Sequence, residues 1–212
     1  MKIKTNALFL LSLGILVAAC APFPGLMKPG LDSIDAYKPT AGEATIVFLC
    51  CGGLMGGPGD GKIAIFDLVP EGDKLVGVPG SGKKIGYKTT PGEHLFMIVY
   101  AFQDRVQPFN IDFMEANFSA GKTYFSMVES LTPPFAGTFY FIKPLKKEEV
   151  ETDKIEKIRK TTKFIEKNPK ADGYFSDQWK EENKIQELKT QKLAQWKIKK
   201  RRYPILPEYG FD

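Results

Sequence analysis

Pro91-Gly92-Glu93-His94-Leu95-Phe96-Met97-Ile98-Val99-Tyr100 is the stretch that decides the fold. A proline-glycine turn opens a run that is apolar at odd and even positions alike. A strand with one wet face alternates; a strand covered on both faces does not. His94 to Phe102 therefore reads as a central strand, with a second sheet on one side and a C-terminal helix on the other.

Outward from this run, residues 44–145 consist of short β-branched and aromatic segments broken by Gly, Pro and Asp. Strands are predicted at Ala44 to Cys50, Lys62 to Val69, Leu75 to Val78, Lys84 to Lys88, His94 to Phe102, Phe109 to Phe118, Thr123 to Ser130 and Gly137 to Ile142. Pro70-Glu71-Gly72-Asp73, Pro91-Gly92 and Ala120-Gly121-Lys122 supply turns between them. No helical period interrupts the series. The expected fold class is mainly β: an antiparallel β-sandwich over 44–145 followed by a charged α-helical C-terminal region.

The helical extension spans 146–202 and the last stretch, 203–212, reads as an extended tail because Pro204 and Pro207 bar a helix. Ile155, Ile158, Thr162 and Ile165 recur at helical steps, giving one helix that Asn168-Pro169 stops. A second helix is predicted from Ser176 as cap to about Lys200, with Ile185, Leu188 and Trp196 on one face and Trp179 and Leu193 beside it. Such a stripe suits either docking on the sandwich or a partner.

Charge is unevenly placed. Residues 1–145 carry 12 basic and 12 acidic side chains, whereas 146–202 carry 18 against 11, so the net +5 belongs to the C-terminal third. Lys197, Lys199, Lys200, Arg201 and Arg202, with Trp179 and Trp196, are the candidate interaction residues. Clustered cations suit anionic head groups, peptidoglycan carboxylates or an acidic protein face, and also simply the C-terminal pole of a helix.

The N-terminus opens with Met1-Lys2-Ile3-Lys4 and an apolar run from Ala7 to Val17, too short to span a bilayer comfortably. Val17-Ala18-Ala19-Cys20 resembles the lipobox of bacterial lipoproteins. That resemblance implies a signal peptide at 1–19 cut after Ala19, a lipidated Cys20 and a membrane held through the acyl chains. Two or more chains anchor stably where one does not. Ala21 stands where an Asp would favour the inner membrane, so the resemblance implies the periplasmic face of the outer membrane. Residues 20–43, rich in Pro and Gly, read as a flexible tether.

Gly56 to Ile63 and Gly77 to Lys84 both match the Gly, four residues, Gly-Lys spacing of a phosphate-binding loop. Both lack the hydroxyl that follows, and both lead into strands where the motif needs a helix. Cys50 and Cys51 are adjacent, a poor geometry for pairing with each other, and the apolar run before them suggests burial. His94 is the lone histidine and reads as structural; a Cys51 and His94 thiol-imidazole pair has no orienting third group. Asp112 and Glu115 fall on opposite faces of one strand. No metal or cofactor is expected, nor nucleic acid as partner.

The opening strand Ala44-Thr45-Ile46-Val47-Phe48, the Pro91-Gly92-Glu93-His94 turn and Ala120-Gly121-Lys122-Thr123-Tyr124-Phe125 together resemble the DUF2846 group of bacterial lipoproteins. Cys50-Cys51 stands where that family tends to carry an Arg. The resemblance implies a β domain on a lipid anchor and carries no catalytic residues. Three functions follow in order: a non-enzymatic envelope lipoprotein binding an envelope protein or the cell wall; a small-ligand module using the gap between sheets or the rim from Gly52 to Gly61; and a thiol-dependent enzyme.

Overall fold

The computed structural model describes residues 25–50, 61–102, 105–131, 139–199 and 204–212. The chain is mainly β, with two sheets. The strands are β1 (Met27–Pro29), β2 (Ala44–Cys50), β3 (Gly61–Val69), β4 (Gly72–Gly77), β5 (Lys83–Thr89), β6 (Gly92–Phe102), β7 (Arg105–Phe118), β8 (Thr123–Leu131), β9 (Phe139–Leu145) and β10 (Lys163–Lys167). The helices are α1 (Lys147–Val150), α2 (Asp153–Thr161), α3 (Pro169–Tyr174), α4 (Asp177–Glu182) and α5 (Ile185–Lys199). Gly72, Gly92 and Gly121 turn at φ of 129°, 111° and 75°, a region costly for side chains with a Cβ, which explains the glycine in each predicted turn.

One sheet has six strands in the order β1-β10-β5-β2-β8-β9 and the other four in the order β4-β3-β6-β7. The wholly antiparallel pairing expected from the sequence is corrected, because β2 pairs with β8 and β10 with β5 in parallel. Between β2 and β8 the chain visits the whole second sheet, a connection long enough to bring the strand back in the same direction.

The main apolar cluster joins the inner faces of both sheets: Ile46 and Phe48 of β2 and Tyr124 of β8 meet Ile65 of β3, Phe96 and Ile98 of β6 and Met114 of β7. The opposite parity of β6, Met97 and Val99, packs with Phe66, Phe113, Ala171, Phe175, Trp179 and Ile185. Both faces of the deciding strand are thus covered. A third cluster lies on the outer face of the six-stranded sheet, where Val47, Leu49 and Phe125 meet Val150, Ile155, Phe164 and Tyr37.

Three expected boundaries are corrected. The tether assigned to 20–43 already contains β1, which pairs with β10, and a 3-10 turn at Ile34–Tyr37 whose Tyr37 is buried. Tyr37 stacks on Phe164 at 4.3 Å between centroids, and Gly86 leaves the room its ring occupies. The helix expected through Ile165 ends at Thr161, and Phe164 and Ile165 enter β10 instead. A five-residue strand with buried Phe164 and Ile165 satisfies its backbone by pairing with β1 and β5, which the local period does not reveal. The tail is extended at Ile205 but packed: Ile205 is fully buried, its N–H donates to Glu115 O, and Phe211 pairs with Thr123.

Candidate functional site

Cys20 and Ala19 lie outside the described residues, as do Lys200, Arg201 and Arg202. Lys197 is exposed on α5, whose last residue is Lys199. Both tryptophans pack on the chain's own sheet; Trp179 is buried, which corrects the reading of it as an interaction residue, and Trp196 is half-buried. Trp179 is buried, edge-on to Phe175 at 4.8 Å, and Trp196 packs against Phe113 at 6.1 Å. The apolar outer face of the four-stranded sheet takes the thin stripe of α4 and α5, and Lys189 closes the join on Asp73 at 2.9 Å. The gap between the sheets is filled by side chains rather than open to a ligand. The rim from Gly52 to Asp60 and Cys51 lie outside the described residues, and Cys50 is buried.

His94 enters a polar cluster that the sequence did not single out. Ile63, Ile65 and Asp67 share the inward parity of β3, so a carboxylate follows two core residues into the interior, with no exposed side-chain surface. Its Oδ2 accepts from the Tyr87 hydroxyl of β5 at 3.1 Å and from His94 Nδ1 of β6 at 3.1 Å. His94 Nε2 donates to Thr90 O at 2.9 Å. The ring is sandwiched near Phe96 and Phe118, with its side chain 5% exposed.

With a carboxylate at one nitrogen and a carbonyl at the other, the two acceptors favour the imidazolium, in which both ring nitrogens donate. Burial alone would push the imidazole down, but the hydrogen bonds to Asp67 and Thr90 and the charge of Asp67 raise it above its ordinary value. Burial and the Asp67 charge also push the Tyr87 hydroxyl well above its usual range, so it stays a donor. In the imidazolium form the ring has no lone pair to act as a base. The arrangement ties β5 of one sheet to β3 and β6 of the other. Asp112 and Glu115 do fall on opposite faces: Asp112 accepts from Ile142 N at 3.2 Å, and Glu115 is exposed.

A cavity of about 510 Å³ opens over the outer face of the six-stranded sheet, beneath α1, α2 and the 3-10 turn. Val47, Leu49 and Phe125 line it together with the half-buried Lys84 and Arg159. Lys84 sits one pleat from Gly86 on the face that bears Tyr37. Its Nζ donates to Arg159 O at 2.5 Å and lies 4.4 Å from the Phe164 centroid; the Arg159 guanidinium covers the Phe125 ring at 4.6 Å. Burial, then the Arg159 charge, lowers the Lys84 pKa. Sequence reasoning missed this pair because 75 residues separate its members; the signal for Asp67 was available, as a lone charge at an inward position of an apolar strand.

Among the described residues no helix is long and apolar enough to cross a membrane, and no group of three metal-ligating side chains converges. A scan against protein-family models finds none that matches this chain, and a search of curated proteins finds no match either.

Proposed function

We propose that this is a lipid-anchored bacterial envelope protein of DUF2846-like character, non-enzymatic, presenting a β-sandwich from the outer membrane's periplasmic face to bind an envelope protein or the cell wall. The observation that carries the reading is the Val17-Ala18-Ala19-Cys20 box after a cationic and apolar leader. Leu26 is already buried in a core cluster, which gives the anchored form a particular geometry. The linker from Cys20 to Leu26 reaches only about 20 Å when fully extended, so the domain would ride close to the bilayer. A non-enzymatic role is supported by the engagement of both nitrogens of the lone histidine. The exposed Lys197 begins the basic run and offers a contact for acidic groups.

Metabolic labelling with an alkynyl palmitate tests the anchor. The wild-type chain is expected to carry the label and sediment with membranes, and Cys20→Ala to lose both; an unlabelled wild-type chain overturns the reading. A second reading, a small-ligand-binding module, is favoured by the cavity beneath α1 and α2, whose volume of about 510 Å³ suits a ligand of modest size.

A further inference from the structure

We propose that the ends of β7 and β8 form a strand-addition site for an extended peptide, filled within one chain by its own tail and open to the tail of a second copy, so that two copies pair by exchanging residues 204–212.

The site follows from the sheet edges. β7 ends the four-stranded sheet, so one row of its backbone groups faces away from β6. The tail takes up part of that row. Ile205 lies parallel to β7 beside Ala116; its N–H donates to Glu115 O at 2.9 Å, and its carbonyl accepts from Asn117 N at 2.9 Å. Further along, Phe211 pairs with Thr123 at the start of β8: Thr123 N donates to Phe211 O at 2.8 Å and Phe211 N to Thr123 O at 2.9 Å. Between these two contacts the fully buried Tyr124 donates its hydroxyl to Pro207 O at 3.2 Å. Main-chain bonds at a sheet edge, with a side chain anchored in the core, are how folded domains capture extended peptides.

Side chains give the site its selectivity. Ile205 is fully buried and joins the apolar cluster between the sheets. Gly210 allows close approach, since a Cβ there would stand 2.8 Å from the Tyr124 ring. Asp212 meets Lys122. Pro204 and Pro207 hold the segment extended before it docks, which lowers the ordering cost of capture.

The hold is light enough to exchange. Of residues 204–212 only Ile205 is buried; the others are half-buried or exposed. An exchanged pair remakes each of these contacts in trans, so exchange costs the entropy of association and no contact. The second copy is the occupant because every copy carries the one peptide this site is seen to fit. A tail on its own chain competes at an effective concentration of roughly millimolar order, so exchange rises with protein concentration.

Carbodiimide crosslinking of an equal mixture of isotopically heavy and light full-length chains tests the exchange. Lys122 and Asp212 touch, so each joined peptide pair reports which copies supplied its two halves. One sample is unfolded in urea and refolded together; a parallel sample is held below its melting temperature without urea, so a chain that refolds poorly still gives an answer. In the dimer fraction from gel filtration, about half of the Lys122–Asp212 links are expected to be heavy-light, and that fraction to grow between about 10 µM and about 1 mM protein. The local Lys143–Glu149 pair should give same-isotope links only. Ile205→Asp should remove both the dimer and the mixed links. Same-isotope Lys122–Asp212 links at every concentration in both samples would overturn the proposal. So would a dimer that persists in Ile205→Asp, because it forms through another face.

Discussion

At the scale of single residues, Asp67 governs what the lone histidine can do. A carboxylate with no solvent exposure needs charge-matched partners, and His94 and Tyr87 supply them from two other strands. The His94 imidazolium is favoured by the folded state, since its pKa there is raised above the ordinary value of 6.5. The pair therefore contributes stability that is fully present below that value and is lost as pH rises through the higher folded-state pKa. The melting temperature is expected to fall as pH rises above about 6.5, and His94→Gln to flatten that fall. Parallel pH profiles for the two proteins would show that His94 does not titrate with folding. His94 was legible as a structural residue from its place after a Pro-Gly turn, but its partners were not: Asp67 is 27 residues away and Tyr87 sits in the other sheet.

At the scale of elements, α4 shows how a buried side chain can carry two opposite contributions. Trp179 fills the space between Phe175 and the four-stranded sheet, yet its indole N–H is buried with no acceptor among the described residues. Truncation to Ala should cost about 3–5 kcal/mol through the cavity it leaves. Trp179→Phe should cost far less, because it keeps most of the packing and removes a donor desolvated without a bond. Urea denaturation of both variants checks the contrast; equal losses would mean that the indole N–H is satisfied. The element boundaries show which local signals suffice. β2 and β6 were readable because apolar content, β-branching and flanking Gly turns agree within a few residues. β10 was not, since Ile155, Ile158, Thr162 and Ile165 keep a helical step across a real break after Thr161. Its strand state is set by Lys83 and Lys84 of β5 and by Met27 to Pro29 of β1, partners that no local window contains. Lys84 and Arg159 escaped notice for the same reason: a strand and a distant helix must fold before the two share a cavity.

At the scale of the molecule, the sequence divides more neatly than the structure does. Composition sets 44–145 apart as a β unit, with an apolar and Pro-Gly-rich stretch before it and a charged region after it. Each apolar cluster nonetheless includes residues from beyond that unit. Ile165 and Ile205 enter the cluster between the sheets; Leu26, Ala171, Phe175, Trp179 and Ile185 complete the one on the four-stranded sheet; Tyr37, Val150, Ile155 and Phe164 complete the third. A chain restricted to 44–145 would keep the inner faces but uncover both outer ones, including Val47, Leu49, Met97 and Phe113, all at most 1% exposed in the whole protein. It would also leave the β5 edge open where β10 now pairs. Apolar burial is roughly proportional to area, so exposing two sheet faces removes far more than the few kcal/mol by which domains of this size are stable. The 44–145 fragment is accordingly expected to lack a cooperative thermal transition and to aggregate, whereas a chain spanning 25–212 melts in a single step. A sharp, reversible transition in the short fragment would show that the outer layers are accessories; its absence makes the residues flanking the β unit part of one cooperative fold.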